Sequence, residues 1–181
     1  EFRRVLFRSS FTITGTGAAT DVEATGVLDM INNTIPTLGN LDPASTEIFD
    51  GSAQSVPGSL TVSYGNLKLV GGTKTITGLF NSNPIEVKGD FTIDNATLTS
   101  NLTGSQEQTI GLWGDLKILN GVTYQAGWNG FVNYEAKGTA AQTFFGNGFA
   151  VNCKKFYINI NNLSAATNLK PSGSVTLSNT G

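Results

Sequence analysis

The chain has 181 residues, of which 39% are hydrophobic and 13% charged, with a formal net charge of −2, one cysteine and no histidine. That length holds one domain with a real core, or several stacked rungs of a solenoid. The composition excludes three classes: a disordered chain, because apolar β-formers run throughout; a disulfide framework, because Cys153 has no internal partner; and a nucleic-acid binder, because phosphate recognition needs clustered Lys and Arg.

The first nine residues stand apart. Glu1-Phe2-Arg3-Arg4-Val5-Leu6-Phe7-Arg8-Ser9 holds all three arginines of the chain. It resembles, codon for codon, the in-frame translation of a common short-read sequencing adapter, GAG TTC AGA CGT GTG CTC TTC CGA TCT. Residues 1–9 are therefore expected to be an adapter-derived artefact, not structural, and are set aside from fold reasoning. A basic amphipathic start or a signal-peptide n-region is the weaker reading, because no apolar h-region of adequate length follows. Without those three Arg and one Glu, 8 basic and 12 acidic residues remain, a net of −4, and every basic residue is a lysine.

From Ser10 onward the chain reads as short strands and breakers. Phe11-Thr12-Ile13-Thr14 alternates with the period of a half-buried strand. Val22 with Ala24, then Val27–Met30, predict two more. Asn32-Asn33 and Pro36 mark a turn, and Leu38–Pro43 ends in a breaker. Thr46–Phe49 predicts a strand. Leu60–Val62, Leu67–Leu69, Thr73–Thr77, Ile85–Val87, Phe91–Ile93 and Ala96–Thr99 follow. Beyond Gln108 come Leu116–Ile118, Val122–Tyr124, Phe131–Tyr134, Phe149–Val151, Phe156–Ile158, Leu169 and Val175–Leu177. No apolar run approaches the ~20 residues that span a bilayer.

One phrase recurs: Gly51-Ser52-Ala53-Gln54-Ser55-Val56, Gly104-Ser105-Gln106-Glu107-Gln108-Thr109-Ile110 and Gly138-Thr139-Ala140-Ala141-Gln142-Thr143-Phe144. An apolar strand follows each copy. Two of these strands are near-identical, Gly65-Asn66-Leu67-Lys68-Leu69-Val70 and Gly114-Asp115-Leu116-Lys117-Ile118-Leu119, and a third, Lys155–Ile160, is looser. Each copy lies where a turn is required. Gln54, Gln108 and Gln142 are therefore expected at corners, their amides paired with backbone groups of an adjoining coil.

Repeats decide architecture. The chain is all-β, and no helix-period segment is available to cross over a conventional parallel sheet. The expected fold is a parallel β-solenoid, in which each strand pairs with its counterpart one coil away; a β-sandwich is the alternative. The Gln phrases lie 54 and 34 residues apart (Gln54, Gln108, Gln142). A solenoid tolerates that irregularity because insertions fall in corner loops.

The order of Phe49–Val56, Asn66–Leu69, Thr73–Gly78 and Val87–Ile93 resembles the Thr- and Gly-rich repeats of large secreted surface proteins of the Bacteroidota, many exported by the type IX secretion system. Gly138–Thr143, Phe156–Asn162, Ser172–Leu177 and Thr25–Met30 carry the same likeness. It covers most of Phe11 to Gly181. The middle copy departs most, with Gln106-Glu107 replacing small residues and Trp113 and Trp128 nearby. The resemblance implies a right-handed parallel β-solenoid (β-helix) of irregular repeats over residues 10–181, part of a longer chain. It implies a non-enzymatic stalk or adhesin, extracellular or at the surface of a Gram-negative bacterium. The implied partners are neighbouring coils of the parent protein, surface glycans and other cells, with no nucleic acid and no membrane insertion.

Few residues invite chemistry. Lacking histidine, the chain has no imidazole base or ligand, and no Ser-His-Asp or Cys-His arrangement. No catalytic, cofactor-binding or metal-binding residue is assigned, and no cofactor is expected. The enzymatic alternative is a polysaccharide-cleaving β-helix, which would gather several carboxylates on one face. Asp90 and Asp94 share strand parity and are its best candidates, against the simpler reading of solvated outward carboxylates. Glu86, Asp115 and Glu135 read as isolated. A carbohydrate-binding alternative would use exposed rings among Trp113, Tyr124, Trp128, Phe131 and Tyr134, although buried rings are commoner. Cys153 reads as a small buried apolar residue, with Lys154 and Lys155 the only argument for a reactive thiol. Asn120, Asn161 and Asn162 fall at corners, where stacked Asn and Thr would form structural ladders. The glycosylation-type sequences at Asn32, Asn95, Asn101 and Asn162 read as chance in so Asn- and Thr-rich a chain.

Overall fold

The structure is a computed structural model, and it describes residues 4–7, 19–58, 62–78, 85–100, 107–120, 123–124, 131–138, 142, 144–145 and 155–158. Among these there is no helix. Every strand pairing is parallel. The chain is a β-solenoid with three strand-bearing faces.

The first face carries seven strands: β1 (Arg4–Phe7), β3 (Val27–Met30), β5 (Thr46–Phe49), β8 (Asn66–Val70), β11 (Phe91–Asp94), β14 (Leu116–Ile118) and β17 (Phe144–Phe145). The second carries β6 (Ala53–Gly58), β9 (Thr73–Gly78), β12 (Thr97–Ser100) and β15 (Thr123–Tyr124). The third carries β7 (Ser63–Tyr64), β10 (Ile85–Val87), β13 (Glu107–Leu112), β16 (Phe131–Ala136) and β18 (Lys155–Ile158). A separate pair, β2 (Thr20–Val22) and β4 (Leu38–Leu41), precedes the third face. From β5 to β14 the chain visits the faces in strict rotation. Parallel pairing normally needs a crossover helix; here one lap of the coil replaces it.

The rung is shorter than the spacing of the Gln phrases. Register along the first face advances by 19 residues (Leu28 to Glu47), 20 (Glu47 to Leu67), 24 (Leu67 to Phe91), 25 (Phe91 to Leu116) and 28 (Leu116 to Phe144). The two near-identical strand words are β8 and β14, two coils apart, with Gly89-Asp90-Phe91-Thr92-Ile93 between them. The looser third word, Lys155–Ile158, lies on the third face and is not their counterpart.

Alternate residues of each strand point inward and stack into columns. Leu67, Phe91 and Leu116 form one, and Met30, Phe49, Leu69, Ile93 and Ile118 the next, all buried. On the third face Tyr64, Val87, Leu112 and Ala136 align, as do Ile85, Ile110 and Tyr134. Each fully buried large side chain contributes about 1.5–3 kcal/mol relative to exposure. Phe49 and Tyr64 meet edge to face, centroids 6.1 Å apart, and the Tyr64 hydroxyl donates to the Pro57 carbonyl at 2.6 Å. Pro57 itself lies on β6, the edge strand of its sheet, where a missing N–H is tolerated.

The corner between third and first faces explains why the strand words begin with glycine. Gly65, Gly89 and Gly114 stack, with Gly89 N donating to Gly65 O at 2.8 Å and Gly114 N to Gly89 O at 3.1 Å. A Cβ on Gly89 would stand 2.3 Å from Asn66 Oδ1, and one on Gly114 would stand 2.5 Å from Gly89 O. Only glycine permits that approach.

The Gln phrases sit at two different corners and make one device. Gln54 Oε1 accepts from Gly51 N at 2.8 Å, while its Nε2 donates to Met30 O at 2.7 Å and Asn32 O at 2.8 Å. Gln142 Oε1 accepts from Gly138 N at 2.9 Å, while its Nε2 donates to Leu112 O at 2.9 Å and Gly114 O at 2.6 Å. Both side chains are buried. The carboxamide acts as an inserted peptide group: where Gly114 N reaches the previous corner directly, Gly138 N reaches it through Gln142. Gly51 and Gly138 are part of the device, since a Cβ on either would fall 2.7 Å from the Gln Cδ. The pairing expected of these amides is present at Gln54 and Gln142. Their placement differs in one respect, because Gln54 and Gln108 lie on β6 and β13 and not in turns; before β6 the bend is made by Gly51 and Ser52. The Gln108 side chain lies outside the described residues.

In the next coil Lys74 occupies the register position of Gln54. It is fully buried and donates to Gly51 O at 2.5 Å and Gly71 O at 2.6 Å. Burial pushes its ammonium below the usual lysine range, partly opposed by the charge of Asp50.

Leu38–Leu41, the run that precedes the Asp42-Pro43 breaker, is a strand. Arg4–Phe7 pairs in register with β3; an open strand edge accepts backbone pairing from any extended neighbour, whatever its composition. The strands expected at Phe11–Thr14, Phe149–Val151 and Val175–Leu177, and Leu169, lie outside the described residues.

Gln54→Met keeps bulk and removes three hydrogen bonds, two of them buried. It is expected to lower stability by about 2–4 kcal/mol, read as a shift in urea midpoint followed by circular dichroism. Gln142→Met should behave alike.

Candidate functional site

Asp90 and Asp94, the carboxylates that sequence parity pairs, face outward on or beside β11 but serve separate corners. Asp90 Oδ1 accepts from Asp115 N at 2.9 Å, and Oδ2 is bound by Lys117 Nζ. Asp90 N in turn donates to Asn66 Oδ1 at 2.9 Å, and Asn66 Nδ2 donates to Ser45 O at 2.8 Å. Ser45, Asn66, Asp90 and Asp115 thus form a ladder running along the axis, each rung tied to the next coil. Asp94 Oδ1 accepts from Asn120 Nδ2 at 3.1 Å. The hydrogen bond to Asp90, with the nearby Asp115 charge, holds the Lys117 ammonium above its usual range.

Glu86 is not the isolated carboxylate its sequence neighbourhood suggests. It is the hub of a strip on the third face. Lys137 Nζ reaches Oε1 at 2.6 Å, while Lys88 Nζ at 3.1 Å and Trp113 Nε1 at 2.6 Å both reach Oε2. Lys88 Nζ also stands 4.2 Å from the Trp113 ring centroid, a cation–π contact. Register places Gly111 between Glu86 and Glu135. The missing side chain leaves a notch, and Lys137 crosses it, with Glu135 Oε2 3.6 Å behind. Burial pushes the Glu86 carboxyl upward, but the hydrogen bonds from Lys137, Trp113 and Lys88 and the Lys137 charge outweigh it and hold it below the usual range. Lys137 is 51 residues from Glu86, so only the coil register reveals the pair; Lys88 lies two residues from Glu86, just past the end of β10.

Trp113 is exposed at 37% and Tyr134 is fully buried. Tyr134 therefore belongs to the core column and not to a ring platform. The side chains of Tyr124 and Phe131, and Trp128, Cys153, Asn101, Asn161 and Asn162, lie outside the described residues. Asn95 sits at a corner with φ of 51°, a left-handed conformation that Asn tolerates, and Asn32 is exposed. Among the described residues no group of three or more His, Cys, Asp or Glu could hold a metal ion, and no helix is long and apolar enough to cross a membrane.

Sequence reading missed the buried ionisable groups, which besides Lys74 include Asp29 and Glu47. Glu47 occupies the inward column between Leu28 and Leu67 and is fully buried. Ser45 Oγ donates to its Oε1 at 2.5 Å and Gly65 N to its Oε2 at 3.0 Å. Burial pushes its carboxyl up to about 7, the two hydrogen bonds opposing. The two-residue strand period does place Glu47 on the side opposite Ile48, but Glu at such a position reads as exposed by default.

No protein-family model, curated protein or solved structure matches this chain.

The Glu47 shift carries a sign. Below pH 4.5 the carboxyl is protonated in both states, and between 4.5 and about 7 the unfolded chain ionises while the folded one does not. Stability therefore falls as pH rises through that window and levels off above it, by about 3 kcal/mol. Glu47→Gln can keep both hydrogen bonds, donating to Ser45 Oγ and accepting from Gly65 N. It is expected to flatten the dependence and to be more stable than the parent at pH 8 by about 1–3 kcal/mol, measured by urea unfolding at pH 4.5 to 8.5.

Proposed function

We propose that this chain is a non-enzymatic, repetitive segment of an extracellular or cell-surface protein, acting as a spacer or adhesive stalk. The observation that carries the reading is the continuity of its columns. Core residues, corner glycines and the Ser45–Asn66–Asp90–Asp115 ladder all run along one axis. Each coil therefore depends mainly on its neighbours, and length grows by adding coils. The best placed outward carboxylates are engaged in these ties. The likeness of the Thr- and Gly-rich repeats to Bacteroidota surface proteins supports the location.

A glycan-binding role is the second reading, favoured by the exposed Trp113 beside Glu86, Lys88 and Lys137. Titration with surface polysaccharides should then quench tryptophan fluorescence, and Trp113→Ala should abolish the response; no binding across a glycan panel would remove this reading.

For the stalk, hydrogen exchange on the isolated chain should show protection highest in β8, β11 and β14 and falling toward both ends, where unpaired edges fray or self-associate. A soluble monomer with uniform protection and one cooperative transition would count against additive coils.

A further inference from the structure

The three faces differ in outward chemistry. On the first, Lys68, Asp90, Asp94, Asp115 and Lys117 bring charge to the surface, and on the third Glu86, Lys88, Glu135 and Lys137 do. The outward positions of β6, β9 and β12 bear no charge at all. Thr73, Thr75 and Thr77 line β9, and Thr97 and Thr99 line β12, each half-exposed, while Lys74, Ile76 and Leu98 between them point inward and are buried. Register stacks them in columns: Thr73 with Thr97, and Thr75 with both Thr99 and Ser55. Thr123 stands at the next register position beyond Thr97.

Such an array presents hydroxyl and methyl groups on a two-dimensional lattice. Neighbouring strands set one repeat at about 4.7–4.9 Å, and residues i and i+2 set the other at about 6.6 Å. The first lies close to the shorter repeat on the prism planes of hexagonal ice, and the second falls about a tenth short of the longer one. The lattice is also held in place. The Thr75 and Thr99 hydroxyls hydrogen-bond each other at 2.9 Å, and β-branched side chains have few χ1 states to lose. Charges would organise their own hydration shells and break the match; the absence of charge separates this face from the other two.

We propose that the threonine-lined second face binds ice, by ordering water on its hydroxyl and methyl lattice. The occupant is crystalline water and not a crystalline polysaccharide, because no aromatic ring lies among the outward positions described on β6, β9 and β12. This inference is independent of the stalk reading and would hold for a free domain equally.

The full chain, cooled in the presence of a single ice crystal, should facet it, show thermal hysteresis and inhibit recrystallisation. The double variant Thr75→Lys with Thr99→Lys places two charges at the centre of the lattice and should reduce these effects at least tenfold. Thr92→Lys, on the outward side of the first face, should leave them unchanged. Circular dichroism checks folding, and if the double variant unfolds, Thr77→Lys supplies the same reading from the adjoining column. Unshaped, disc-like crystals with the parent chain would overturn the proposal. So would equal activity in a folded Thr75/Thr99 or Thr77 variant, or retention on microcrystalline cellulose or chitin without ice shaping.

Discussion

Everything in this molecule follows from keeping a parallel backbone ladder in register across corners. A parallel strand has hydrogen-bonding groups on both edges, and a solenoid satisfies them only if each lap returns the chain in register, one strand spacing further along the axis. Laps here vary from 19 to 28 residues, so the surplus must be absorbed at the corners without orphaning buried amides and carbonyls. Gly65, Gly89 and Gly114 do this by direct contact. Gln54 and Gln142 do it by adding a carboxamide to the ladder, and Lys74 by adding an ammonium. An unsatisfied buried group costs about 1–3 kcal/mol, which is enough to select polar side chains in a core where apolar ones would otherwise serve.

The same constraint accounts for the ionisable groups. Lys74 and Glu47 are buried because each completes backbone bonding at a corner, and their titration is displaced as a consequence. The surface pairs do different work. Exposed and half-exposed ion pairs contribute little stability, about 0–1 kcal/mol each, yet on the third face they collect around one notch at Gly111. Among the described residues, outward charge on the strands is thereby confined to two faces, and the remaining face, of β6, β9 and β12, is left to threonine. This asymmetry, more than any single residue, separates the faces chemically.

Much of the architecture was legible. Alternation in Leu67–Leu69 and Phe91–Ile93 sets which residues point inward, because strand period is a local property; Thr46–Phe49 has no such alternation, and its inward Glu47 was not legible. The lack of helical segments left a solenoid as the way to pair parallel strands. The rung length was not legible from the Gln phrases, since that phrase marks any corner needing an extra amide and recurs at two of them. Lys155–Ile158 shows the same limit: similar words can lie on different faces, because alternation is common to all three. Of the candidate surface residues, Asp90 and Asp94 were found by parity, but their partners Lys117 and Asn120 belong to the next coil.

The sequence by itself determined the class of structure: short alternating strands, glycine and asparagine corners, no imidazole chemistry, and an inward or outward side for the residues of strands whose apolar positions alternate. Those features depend on backbone preference and on a two-residue period, both local. Only the tertiary structure decided which strands are neighbours, and therefore which side chains share a column. Lys137 reaching Glu86, Gln142 bridging Gly138 to Gly114, and Thr75 meeting Thr99 are contacts between laps, set by the variable length of each coil, and no local pattern encodes that length.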